Sequence, residues 1–352
     1  SFQDFGVSVG QTANFRTQPG TENIFGRIVG GNPSAIDGAI QITGSAANLF
    51  LINPAGIIFG DSASLNVPAS FTATTATGIG FENNNWFNAI GSNDWLTLTG
   101  QPNAFAFAST NPGAIVNLGN LAVPAGQNLG LIGGALLNAG TLQAPGGTIL
   151  LASVPGENLV RLSSPGNLLS LEVLPQAQLV RSPISEVVNP LSIPELLTGR
   201  SESTAHQIAV NPDGTIGLVG ASTAIDPQAG TTLISGQVSV RSHDSPHAGS
   251  IGIFGDRVAL VGATLDASSP NGGGDISIGG AFRGLGPQPN ANFTEIDPNT
   301  SIVADALGFG AGGTIAIWAD RSTQFFGRIS ARGGSEGGDG GFVEVSGQDR
   351  LS

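Results

Sequence analysis

The sequence predicts an all-β protein built as a parallel β-solenoid with extra-helical hairpins, and three observations lead there. The phrase Gly-x-[Ile/Val]-x-[Ile/Val/Leu] recurs with its glycine at Gly147, Gly214, Gly236, Gly249, Gly274, Gly313 and Gly341, several intervals falling near one common spacing or twice it. Asn117-Leu118-Gly119-Asn120-Leu121 returns one such spacing later as Asn138-Ala139-Gly140-Thr141-Leu142. Glycine supplies 54 of the 352 residues, and each interior glycine costs a helix about 1 kcal/mol relative to alanine. A period of about 20 residues with one alternating strand buries its inward side chains only by stacking on the next repeat. A sandwich would show turn signals every 8–12 residues or so and no fixed long period.

The apolar content of 40% is enough to build a core and excludes a disordered chain. Charged residues make up only 11%, the formal charge is −13, and every basic residue is an arginine. No basic stripe for nucleic acid is visible, and an anionic membrane would repel the chain. There is no cysteine, which is uninformative in a cytosolic chain and in an exported one avoids oxidative cross-linking during passage, and no apolar run is long enough for a spanning helix. The chain opens at Ser1 without the features of a leader, which reads as a processed or excised piece.

In chain order, residues 1–15 open with Ser1-Phe2-Gln3-Asp4-Phe5, and residues 24–42 supply short strands around the turn Ile36-Asp37-Gly38. Residues 48–60 are the organising stretch. Two apolar runs flank Asn53-Pro54-Ala55-Gly56, where Pro54 fixes φ and Gly56 admits a positive φ, the needs of a tight turn. Each run is too short for a helix and reads as a strand. Residues 65–76 are rich in threonine and small side chains. Residues 81–107 break the pattern with two of the three tryptophans and read as an antiparallel hairpin packed on the flank. Residues 115–154 return to regular coils. Residues 175–207 are poor in glycine, and Ser192 to Gly199 reads as a short helix or 3-10 turn. The boundary falls there, giving units 1–175, 176–207 and 208–352, with coils resuming from Ile208 and one core able to run through.

No cofactor, metal or catalytic site is expected. His243 and His247 would converge only on a helix, which Pro246 and Gly249 oppose, so both read as loop residues. Residues 333–341 and 271–275 lack the frame of a calcium roll, and 333–341 reads as a turn between coils. Residues 308–313 have neither the lysine nor the helix of a phosphate loop, because Thr314 to Trp318 alternates like a strand. Carboxylates are sparse and sit mostly at turns, as in Asp213-Gly214 and Asp226-Pro227, which argues against glycan hydrolysis.

The stretch ANLFLINPAGIIFG (residues 47–60), SFTATTA (70–76) and GTILLASV (147–154) resembles, in that order, the secretion domain of two-partner exoproteins of the filamentous haemagglutinin type. That family carries Asn-Pro-Asn-Gly where Ala55 here replaces the second asparagine. GGDISIGG (273–280), IVADA (302–306) and residues 333–347 are similar to haemagglutinin-like repeats of large cyanobacterial exoproteins. The resemblance implies a right-handed β-helix, a secreted or cell-surface destination by way of the periplasm, and an outer-membrane β-barrel transporter with periplasmic POTRA domains as partner. It implies that 1–175 addresses the chain to that transporter, and that Asn48, Asn53, Pro54, Ala55, Gly56 and Ile57 form the recognition surface, with Asn53 an exposed turn side chain. It further implies a large adhesin with a surface glycan or protein as receptor. The alternative is a β-helix enzyme or lectin acting on surface polysaccharide.

Overall fold

A computed structural model describes residues 1–81, 85–156, 158–163, 170–175, 207–210, 216–219, 224–225, 229–243 and 248–352. Three nine-stranded parallel sheets dominate it. The first runs from Thr12–Arg16 to Arg328–Ser330, the second from Asn23–Arg27 to Phe342–Val345, and the third from Ser34–Ile36 to Arg350–Leu351. The chain visits the three sheets in turn, so three strands make one coil and nine coils stack. This is a parallel β-helix, right-handed as about 98% of parallel crossovers are.

Alternation drives the coil. In the second coil Ile40, Ile42, Leu49, Leu51, Ile57 and Phe59 point inward and are buried. The core they join extends without a break from Val7 to Ile317, crossing the predicted boundary. The Asn117 and Asn138 repeat is one full coil, for the two strands pair with these residues in register. Asn117 Nδ2 donates to Asn138 Oδ1 at 2.7 Å, and both amides are buried. Ile234 takes the same place in the following coil, so this ladder stops at two asparagines.

The glycine phrase also has a physical cause. Gly147, Gly249, Gly274, Gly313 and Gly341 each stand just before a strand of the second sheet, one above the other. A Cβ at Gly274 would lie 2.1 Å from Gly249 O, and one at Gly313 would lie 2.0 Å from Gly274 O. Gly236 belongs to another corner, where a Cβ would meet Gly140 O at 1.9 Å, and Gly214 lies outside the described residues.

The predicted hairpin is present and larger than expected. Gly78–Gly80 pairs antiparallel with Trp86–Asn88 and Ala104–Phe107, and Asn158–Ser163 and Ser170–Pro175 extend the sheet to five strands. It buries a second core. Ile79, Phe87, Phe105 and Phe107 pack on Ile52, Ile132, Leu150, Ala152 and Phe254, which face outward from the second sheet.

One expectation fails. Coils do not resume at Ile208, because Gln207–Val210 pairs antiparallel with Ile216–Val219, which in turn pairs with Ala224–Ile225. The solenoid resumes at Thr231–Ile234, which lies on Ala135–Asn138. Asn211-Pro212-Asp213-Gly214 separates the first two strands, and an Asp-Gly turn between apolar runs favours a hairpin over a coil. The helix expected from Ser192 to Gly199 lies outside the described residues. Among the described residues, no helix is long and apolar enough to cross a membrane.

The glycine column yields a paired test. Gly313→Ala places a methyl group against backbone that coil stacking holds fixed, and should lower stability by about 1–3 kcal/mol. Gly340→Ala, whose Cβ would find its nearest neighbour at 3.9 Å, should change it by less than about 0.5 kcal/mol. Chemical denaturation of the two variants measures the contrast.

Candidate functional site

Asn53-Pro54-Ala55-Gly56 joins Asn48–Ile52 to Ile57–Phe59, at the corner between the second and third sheets. Gly56 N donates to Asn53 O at 3.1 Å and closes the turn, with Gly56 at φ +129° as the sequence requires. Ala55 N donates to Asn53 Oδ1 at 3.0 Å, so the side chain braces its own turn. Asn53 Nδ2 reaches back to the first coil, donating to Asn32 O at 2.9 Å and Ser34 Oγ at 3.0 Å. The backbone ties the turn forward as well. Asn53 N donates to Thr74 O at 3.0 Å, and Gly113 N donates to Pro54 O at 3.1 Å where the first excursion rejoins the solenoid.

This arrangement corrects the expectation for Asn53. Its side chain is not exposed: the residue is only 1% accessible and its amide pairs polar groups of two coils. Ile57 is wholly within the core and Gly56 is buried, while Pro54 and Ala55 are half-buried. The corner therefore brings Asn53 through Ile57 together. Asn48 sits at the far end of its strand, donating to Asn23 Oδ1 at 3.0 Å and accepting from Ser70 N at 3.2 Å.

Sequence reasoning missed Asn32, Ser34, Thr75 and Gly113. Thr75 Oγ1 donates to Gly113 O at 2.8 Å and accepts from Gly134 N at 3.1 Å, continuing the corner into the fourth coil. A signal for the first pair exists. Asn32-Pro33 precedes Asn53-Pro54 by the same interval that separates Asn117 from Asn138.

The remaining candidates are placed as follows. His243 is exposed, and His247 lies outside the described residues. Residues 333–341 stack on the preceding turn, with Gly310 N donating to Gly337 O at 2.8 Å and Glu336 N donating to Gly308 O at 2.9 Å. Among the described residues, no group of three or more histidines, cysteines or carboxylates is placed to hold a metal. Glu295 is half-buried on the outer side of the third sheet, and burial pushes its carboxyl up to about 7 against the partial opposition of Arg257. Its in-register neighbours are Ala259 and Gln324, so that row offers no second carboxylate for acid–base work.

Taken together these features define a three-sided β-helix pinned early by a buried asparagine turn. The profile of the TPS secretion domain family matches residues 1–190, more than half of the chain. The chain belongs to that family, which makes it the exported exoprotein of a two-partner system with an outer-membrane transporter as its partner. The crystal structure of the HMW1 secretion domain from Haemophilus influenzae is similar at 21% identity and a TM-score of 0.46, over 99% of this chain and 87% of that one. No curated protein matches the chain.

Two outcomes follow from the site's geometry. Asn53→Ala removes three side-chain hydrogen bonds and strands buried partners, so stability should fall by about 1–3 kcal/mol in a denaturant titration. For Glu295 the folded carboxyl titrates near 7 against an ordinary 4.5, so the folded state holds its proton more tightly. Its favourable contribution is fully present below pH 4.5 and is lost as pH rises through 7. Glu295→Gln should therefore flatten the fall in melting temperature across that window, and an unchanged slope would contradict the assignment.

Proposed function

We propose that this chain addresses its exoprotein to a β-barrel transporter bearing periplasmic POTRA domains, and begins β-helix folding outside the cell. The observation that carries this reading is the burial of Asn53. A folded second coil cannot offer that side chain to a partner, whereas an unfolded chain displays the whole of Asn53-Pro54-Ala55-Gly56. The motif then serves twice: read in extended form by the transporter, and afterwards used as the clamp between the first three coils. Residues 1–175 carry the address, and the coils from Thr231 onward form the haemagglutinin-like part of a large adhesin at the cell surface.

Secretion separates address from stability. Asn53→Ala and Asn138→Ala each remove a buried amide from a coil corner, but only the first lies in the motif proposed to be read by the transporter. Co-expressed with the transporter, Asn53→Ala should fail to reach the medium while Asn138→Ala is secreted. Equal loss from both, in proportion to their melting temperatures, would sink the recognition role.

A further inference from the structure

We propose that residues 279–292 form a strap that latches the ninth coil to the seventh. The segment leaves the seventh coil after Asp275–Ile278 and returns at Phe293–Ile296, which a tight turn could have joined. Instead it folds down the outer side of the second sheet. Gly280 and Gly284 lie against Trp318 of the eighth coil, so closely that a Cβ at Gly284 would meet its indole at 2.5 Å. Trp318 Nε1 donates to Asp320 Oδ1 at 2.8 Å, and Asn290 Nδ2 donates to the same oxygen at 3.0 Å and to Gly284 O at 3.1 Å. The indole and both arms of the segment are thereby fixed together.

Beyond that point the segment reaches a coil with which its own strands do not pair. Phe282 meets Phe342 edge-on, with ring centroids 5.1 Å apart and planes at 82°. Arg283 N donates to Glu344 Oε2 at 2.8 Å. Phe342 and Glu344 belong to Phe342–Val345, two coils further along the sheet than Asp275–Ile278. Reaching them puts Arg283 at φ 57°, the one non-glycine residue with a positive φ among the described residues. Its guanidinium lies over the Phe282 ring at 4.9 Å. A left-handed arginine in a segment that makes two contacts to a distant strand, one through Phe282 and one through its own backbone N–H, marks a segment held by its target. The backbone ladder cannot supply this connection, since it joins each coil only to its immediate neighbours.

The strap makes the docking of the ninth coil depend on a site completed two coils earlier. In a chain that gains its coils in sequence order, the newly strapped ninth coil is hindered from peeling away. That consequence rests on the export reading above, whereas the latch itself does not. Amide hydrogen exchange on the 352-residue chain tests the latch without any transporter. Phe282→Ala should speed exchange in Phe342–Val345 and Arg350–Leu351 by roughly two- to tenfold, the range an aromatic pair contributes. Leu129–Gly133 and Thr148–Ser153 should stay unchanged. Phe282→Ala/Phe342→Ala should exchange no faster there than Phe342→Ala alone, and Leu285→Ala, at a residue 70% exposed on the same segment, should have no effect. No acceleration, acceleration spread evenly over all coils, or an equal effect from Leu285→Ala would overturn the proposal.

Discussion

Everything in this protein depends on one distance, the spacing at which hydrogen bonds hold a strand against its counterpart in the next coil. Parallel strands lie about 4.8 Å apart, and the corners must close at that same spacing although they have no ladder of their own. Side chains at the corners are therefore either absent, as in the stack Gly249, Gly274, Gly313 and Gly341, or recruited as spacers that satisfy the backbone. Asn117 on Asn138 is such a spacer, and Asn53 is another. The composition that first looks odd, rich in glycine and poor in charge, is what a stack with so little room at its corners demands.

The five-stranded antiparallel sheet adds a second level of organisation. Sheets of a solenoid can leave their outer faces wet, but here Ile52, Ile132, Leu150 and Phe254 turn apolar groups outward and are covered. Phe25 and Phe50 stack at 5.1 Å on the same side, beside Phe81 and Phe87. Arg27 closes the edge of this layer, donating to Asn88 O and Gly91 O at 3.0 and 2.7 Å. The early coils are thus buttressed from outside as well as filled from within. Among the described residues, the later coils have no such sheet and rely on shorter devices.

Repetition made most of the fold legible in the sequence. Five of the glycine phrases marked strands of the second sheet because one steric condition recurs there from the fifth coil to the ninth, and the asparagine pair marked a full turn of the helix because its residues stack in register. What repetition does not govern was harder to read. The antiparallel pair Gln207–Val210 and Ile216–Val219 follows a local sequence cue, Asp213-Gly214 between two apolar runs, which the surrounding apolar alternation disguised as another coil. At the site, the turn and the positive φ of Gly56 were readable from Pro54 and Gly56 alone. The burial of Asn53 was not, because it depends on Asn32, Ser34 and Thr74, which belong to other coils and approach only when the stack forms.

All three large departures from the solenoid, residues 75–113, 154–230 and 279–292, leave between the second and third sheets. Their lengths differ widely, yet Ala114–Asn117 and Thr231–Ile234 pair with Ala135–Asn138 in full register on either side. Closing a longer loop adds only about 0.6 kcal/mol for each doubling of its length, while a shift of one residue in a strand would turn its apolar face outward. That corner is thus an open joint in an otherwise rigid frame. Lineages can lengthen, trade or discard whole surface modules there, and the scaffold beneath keeps its count of residues.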